Sequence, residues 1–280
     1  MNRTPIGWTD YTWNPLSGCT EITEGCEHCY ARSLAEMKRG TRAFPNGFDI
    51  TYRPHRLVGP GKLHKPSLIF ANSMSDFFHE DIAGDYREQI FDAIEAAPHH
   101  RFQLLTKRPK LAAKYFATRA VPSNVWLGVT VENQRWRSRI DVLREIDARV
   151  RFLSCEPLLE DLGELDLAGI HWVIAGGESG SHLSDPALVD ARALVARERK
   201  GLPWLPRTDR IDWIRSLRDR CRARGVAFYF KQWGGTLPTI GGRELDGRTW
   251  DEMPIHVAGA MPSSSSALHG RSSVSGGGAR

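Results

Sequence analysis

No stretch of this chain approaches the roughly 18 consecutive apolar residues of a membrane-spanning helix. The opening residues, Met1 to Trp8, have no apolar leader core, and the expectation is a cytoplasmic protein with no membrane partner. Cysteines number five among 280 residues, an odd count that does not suggest a disulfide framework. Neither sign of charge dominates: 38 Lys and Arg stand against 33 Asp and Glu, a net charge of +5. That mild excess permits a phosphate-bearing partner without demanding one. The arginines of 135–149 and 207–224 read as solvated helix faces rather than a nucleic-acid patch. With 41% hydrophobic and 25% charged residues, the chain can build one large domain or two small ones.

Three of the five cysteines are gathered. Cys19, Cys26 and Cys29 stand in a C-x6-C-x2-C spacing. Three thiolates can hold three irons of a cubane cluster and leave the fourth iron open to a small molecule. A structural zinc site wants four protein ligands, and an electron-transfer cluster wants four cysteines. Three close cysteines without an obvious fourth therefore point to chemistry at the metal. Zinc held by the three thiols and a histidine, such as His28 or His79, stays open as an alternative. A disulfide plus one free thiol ranks below both.

Short apolar runs alternate with helix-like segments. Strands are expected at 67–72, 101–106, 125–131, 150–154, 171–175 and 227–231, with 11–14 as a short first strand. Most read as continuously apolar, as parallel strands covered on both faces do. Helices are expected at 29–39, 84–97, 109–118, 134–146 and 210–225. The last carries Ile211, Ile214, Leu217 and Cys221 at helical spacing and ends at Gly225. Repeated strand-then-helix predicts an α/β fold, a partial (β/α) TIM-like barrel, with a doubly wound sheet as the alternative. One domain is expected over 1–258, broken by an irregular insertion near 182–206 that reads as a surface insertion or a lid. Residues 259–280, rich in Ser and Gly, read as a disordered tail.

Each strand is followed by polar or charged residues: Ser73 and Asp76, Lys107 and Arg108, Glu132, Cys155 and Glu156, Gly176 to Gly180, and Gln232. In parallel α/β proteins that carboxyl rim is where sites are built. Six such stretches, with the cysteine loop after the first strand, predict one crowded site.

A cysteine loop in that position resembles the radical S-adenosylmethionine (SAM) superfamily, whose common spacing is C-x3-C-x2-C; here the first gap is x6. More closely, the chain resembles an uncharacterised family of phage and prophage proteins of the gene-product thirty-seven/sixty-eight type, known by its three-cysteine motif. The match is carried by Trp8-Thr9-Asp10, Thr12-Trp13-Asn14-Pro15, the loop from Cys19 to Tyr30, and the run from Asn72 to His79. It continues through Leu105 to Pro109, Trp126 to Glu132, Phe152 to Leu158, Gly176 to Gly180 and Phe230 to Gly234. The resemblance implies a barrel of the radical SAM type. It also implies a [4Fe–4S] cluster on Cys19, Cys26 and Cys29, SAM chelated at the open iron, and a 5′-deoxyadenosyl radical formed on reduction. A reductant such as flavodoxin or ferredoxin would supply the electron, and the phage context suggests a nucleic-acid or nucleotide substrate.

The remaining site residues each have a bland reading beside the functional one. Asp76, with Ser73, can receive the SAM ammonium, or Asp76 can cap the following helix. Lys107 and Arg108 can bind a carboxylate or phosphate, or form a surface pair. Gly176 and Gly177 can admit a ligand close to the backbone, with Glu178 binding hydroxyls, or form a tight turn. Glu132 can act as a base or mark a helix start. Cys155 can give a hydrogen atom to a substrate radical, though buried inert cysteines are commoner. Two other readings stay open: a zinc-containing nucleic-acid-binding protein, and a barrel hydrolase using Glu132, Glu156 and Glu178 as acid and base.

Overall fold

The computed structural model describes residues 1–254, so the tail read at 259–280, and the last residues of the domain expected over 1–258, lie outside it. Among the described residues twelve strands and six α-helices follow one another. The strands are β1 (Asn2–Arg3), β2 (Tyr11–Trp13), β3 (Leu16–Ser17), β4 (Thr51–Tyr52), β5 (Leu68–Ala71), β6 (Arg101–Thr106), β7 (Val125–Thr130), β8 (Val150–Cys155), β9 (Trp172–Gly176), β10 (Val195–Ala196), β11 (Leu205–Pro206) and β12 (Ala227–Gln232). The helices are α1 (Tyr30–Met37), α2 (Gly84–Glu95), α3 (Pro109–Phe116), α4 (Ser138–Glu145), α5 (Pro186–Arg192) and α6 (Ile211–Ala223).

Eight strands form one sheet in the order β1-β2-β5-β6-β7-β8-β9-β12. From β2 to β12 every pairing is parallel, and only the edge strand β1 runs antiparallel. The order follows the sequence without reversal. A doubly wound sheet reverses at a switch point, so that alternative is excluded.

The sheet is curled. In a flat sheet β5 and β9, four strands apart, would lie about 19 Å from each other. Instead the Trp8 ring touches both Phe70 of β5, at 4.8 Å, and Trp172 of β9, at 5.9 Å. Trp126, Phe152 and Tyr229 close on Trp172 from the same side. These buried rings floor the concave face, and each edge-to-face pair contributes about 0.5–1.5 kcal/mol beyond its area. The sheet is not closed, since β1 and β12 remain its edges. The fold is thus α/β, a partial (β/α) barrel.

Alternation along the strands sorts the rest. In β8, Val150 and Phe152 face the concave floor while Leu153 and Cys155 enter the larger core on the convex side. There Ile214, Leu217 and Cys221 of α6 cover the sheet at the spacing the sequence predicts. The stretch 134–146, expected as one helix, is a short 3-10 turn at Gln134–Trp136 followed by α4. The insertion near 182–206 is more ordered than its composition suggests: it holds α5 and the β10–β11 hairpin.

Candidate functional site

Because β2, β5, β6, β7, β8, β9 and β12 are parallel, their carboxyl ends share one rim. The cysteine loop leaves the end of β2 and lies along it. Gly18 N–H donates to the Met74 carbonyl at 3.0 Å, which ties the loop to the turn after β5. Cys26 closes a 3-10 turn, Glu24–Cys26, and Cys29 immediately precedes α1. All three thiols are half-buried and free of disulfides.

Two cations act on two of these sulfurs. Arg108 Nη1 donates to Cys19 Sγ at 3.4 Å, and Nη2 donates to Thr20 Oγ1 at 2.8 Å. Burial nonetheless pushes the Cys19 thiol up, to about 11, with Asp76 adding to the rise and Arg108 opposing it. At Cys26 burial also pushes upward, but the Lys107 ammonium and the Thr23 hydroxyl outweigh it and leave the thiol below its ordinary value. Lys107 is held there by Glu132, which is fully buried and forms an ion pair with it. Thr23 Oγ1 donates to Glu132 Oε1 at 2.6 Å, and Arg139 Nη1 donates to Oε2 at 3.0 Å. Burial raises the Glu132 carboxyl, yet Lys107 and Arg139 prevail and keep it below the usual range. The ends of β6 and β7 are thereby locked onto the cysteine loop.

Gly25 makes this contact feasible. A Cβ there would stand 2.7 Å from Glu132 Oε1 and 3.0 Å from Lys107 Nζ. Gly25→Ala should therefore push the loop off the Lys107–Glu132 pair, at a cost of about 1–3 kcal/mol. Urea denaturation reads that cost, and alkylation of Cys26 reads the displaced loop; an unchanged midpoint and rate would show that the loop gives way freely.

The other rim residues fall into two groups. Asp76 is engaged within the protein: its carboxylate accepts from Thr106 Oγ1 at 2.8 Å, Lys107 N–H at 3.1 Å and Phe78 N–H at 3.0 Å, and Arg108 lies 3.5 Å away. It ties the ends of β5 and β6 together and caps a turn, not α2, which begins at Gly84. Ser73 faces Asn14, whose Nδ2 donates to its hydroxyl at 2.9 Å, while Tyr30 donates to its carbonyl at 2.6 Å. Glu156 pairs with Lys231 at 2.5 Å at the ends of β8 and β12.

Two expectations meet a different geometry. Cys155 is fully buried on the convex side, in one core with Cys221, and burial drives its thiol far upward. The parity of β8 turns Ser154, not Cys155, toward the concave face, so Cys155 does not face the space where a substrate radical would form. Gly177, just after β9, approaches backbone, and Gly176, the last residue of β9, approaches a side chain. A Cβ on Gly177 would lie 2.0 Å from the Trp233 carbonyl oxygen, because Gly177 N–H bonds the Gln232 carbonyl at 2.9 Å. Gly176 lies beside Glu156, 3.3 Å from its carboxyl carbon to a built Cβ.

Glu178 is buried and receives a two-toothed grip from Arg192 at 2.6 and 2.9 Å. Nothing in the sequence marks Arg192 and Thr23, and Arg139, within a stretch that reads as a solvated helix face, is instead buried against Glu132. Only Gly25 had a local signal, a glycine directly before a cysteine of the motif.

A family model described as a protein of unknown function, DUF5131, matches residues 3–190 and 206–254. The chain belongs to that family. The DUF5131 match takes in every rim residue named above except Arg192. Among solved structures the chain is similar to spore photoproduct lyase complexed with dinucleoside spore photoproduct, at 12% identity over 77% of this chain and 74% of that one, TM-score 0.46. It is similar also to a double mutant of spore photoproduct lyase with bound AdoMet and dinucleoside spore photoproduct, at 12% identity over 80% and 77%, TM-score 0.49. No curated protein matches the chain.

The donor set fits an iron–sulfur cluster. Three thiols are soft ligands, and a cation acts on two of them, as the negative charge of thiolates requires. Among the described residues no group of three or more His, Cys, Asp or Glu side chains is placed to hold a metal ion. His79 offers a zinc ion nothing: its Nδ1 accepts from the Asp81 N–H at 3.1 Å, so Nε2 carries the proton and donates to Thr20 at 2.8 Å.

Proposed function

We propose that this chain is a radical-SAM-like iron–sulfur enzyme of the cytoplasm. The observation that carries the reading is a three-thiol loop at the carboxyl rim of a partial (β/α) barrel, with Arg108 and Lys107 acting on two of its sulfurs. Cys19, Cys26 and Cys29 would hold a [4Fe–4S] cluster, and Ser73 with the Lys107–Arg108 pair borders the space where SAM would lie. Cluster and SAM, given one electron by a donor such as flavodoxin or ferredoxin, would supply radical chemistry: the sulfonium would part into methionine and a 5′-deoxyadenosyl radical able to take a hydrogen atom from a substrate. The protein's own part is to position and to shield. Arg108 and Lys107 offset thiolate charge, Glu132 fixes Lys107, and the ring floor under the concave face bars solvent from below. The net charge of +5 suits a phosphate-bearing substrate, a nucleotide or nucleic acid.

The hydrolase reading loses its acid. Each of the three carboxylates is paired with a cation: Glu132 with Lys107, Glu156 with Lys231, and Glu178 with Arg192. A general acid at neutral pH needs a raised carboxyl, and Glu132 is shifted the opposite way.

Anaerobic purification, reconstitution with iron and sulfide, and a visible spectrum test the proposal. A brown protein that cleaves SAM on reduction is expected, with both properties lost in Cys26→Ala. A colourless protein with one bound zinc would overturn it and favour the zinc-containing nucleic-acid-binding reading.

A further inference from the structure

We propose that Arg192 is a positioning residue for the cysteine loop, holding the turn from Cys26 to Cys29 against the barrel rim; this rests on the reading of that loop as the metal-holding site. Arg192 ends α5, in the stretch 191–205 that the DUF5131 match leaves out. Its guanidinium forks onto Glu178 at the end of β9, Nε to Oε2 at 2.6 Å and Nη2 to Oε1 at 2.9 Å. The same group reaches the loop twice. Nη1 donates to Glu27 Oε2 at 2.7 Å, and Nη2 donates to the Glu24 carbonyl at 2.8 Å. Glu24 and Glu27 lie on either side of Cys26, so one planar cation joins the sheet to both flanks of the second cysteine.

A second contact from the same insertion lands one residue further on. The His182 ring stacks on His28, between Cys26 and Cys29, with centroids 3.8 Å apart and planes 7° from parallel. Arg192 and Glu178 are both more than nine-tenths buried. A lysine offers a point charge and cannot span Glu178, Glu27 and the Glu24 carbonyl at once. The insertion is thereby a strap across the cysteine loop, fastened by Arg192.

The test is residue-resolved alkylation of the metal-free full chain with iodoacetamide, read by mass spectrometry. In Arg192→Gln, Cys26 and Cys29 should label at least tenfold faster while Cys221, buried under α6, keeps its wild-type rate. Arg192→Lys should recover only part of the protection, and iron retained after reconstitution should fall in the same order. Unchanged rates, an equal rise at every cysteine, or full rescue by lysine would overturn the assignment. Should Arg192→Gln fail to fold, Glu27→Gln decides, because that side chain is 53% exposed and its loss spares the core. A faster Cys26 there supports the strap, and an unchanged one overturns it. Altered labelling alongside a reconstituted wild type without iron would keep the strap and discard the cluster.

Discussion

Glu132→Gln should lower stability by about 3–5 kcal/mol, the loss expected when one partner of a buried ion pair is removed. Glu132 is fully buried and faces Lys107 and Arg139 together, with the Thr23 hydroxyl on the same oxygen as Lys107. The amide keeps the shape and removes the anion, so the buried Arg139 and the partly exposed Lys107 both lose their counter-charge. Urea denaturation reads the loss directly. Lys107→Met in the same chain should return part of it, since one stranded cation is then gone; strict additivity of the two changes would deny the coupling. A pH signature accompanies it. The folded carboxyl is held below the ordinary Glu value of 4.5, so its contribution is complete above that pH and fades as pH falls below it. Glu132→Gln should lack that portion of the acid-limb decline.

Gly177→Ala should be nearly as damaging, for a steric reason. The added methyl would fall 2.0 Å from a backbone oxygen, that of Trp233, and a paired strand end has no flexible tip to move aside. Overpacking costs about 1–3 kcal/mol and sometimes more; the upper end is expected, because β9 and β12 must part. The displacement would continue into Glu178, the next residue, and through Arg192 to the cysteine loop. Gly84→Ala is the control: no atom lies within 4 Å of its Cβ, and it opens α2. Its stability should hold or rise by about 0.4–1 kcal/mol. Equal midpoints for the two variants would contradict the clash.

The parallel strands were legible because burial on both faces leaves continuous apolar runs, and all seven expected ones form in sequence order. The rim followed from them, as the residue after a parallel strand has few places to go. What composition hides is parity and partnership. Cys155 lies at a carboxyl end, as read, but one step along β8 reverses its face, and only the Phe152 contact with Trp172 fixes which face is concave. The Gly-Gly after β9 announces a close approach without naming the approaching atom. Arg192 is one arginine among many in a stretch of irregular composition, and its partners at 24, 27 and 178 come from two distant segments that meet only in the fold. Asp76 was read as a capper or a ligand to an ammonium. The structure places its oxygens on Thr106, Lys107 and Phe78, a link between neighbouring strands that no local pattern encodes.

The aromatic floor has one more consequence. Trp8, Phe70, Trp126, Phe152 and Trp172 seal the bottom of the concave face, with Gly7 pressed against the Tyr229 hydroxyl where the N-terminal segment crosses. A half-barrel stopped at its bottom still opens upward at the rim and sideways between its edge strands β1 and β12. The sealed end is the rigid one, so amide hydrogen exchange should run slowest at residues 125–127 and 172–174 and fastest along the rim.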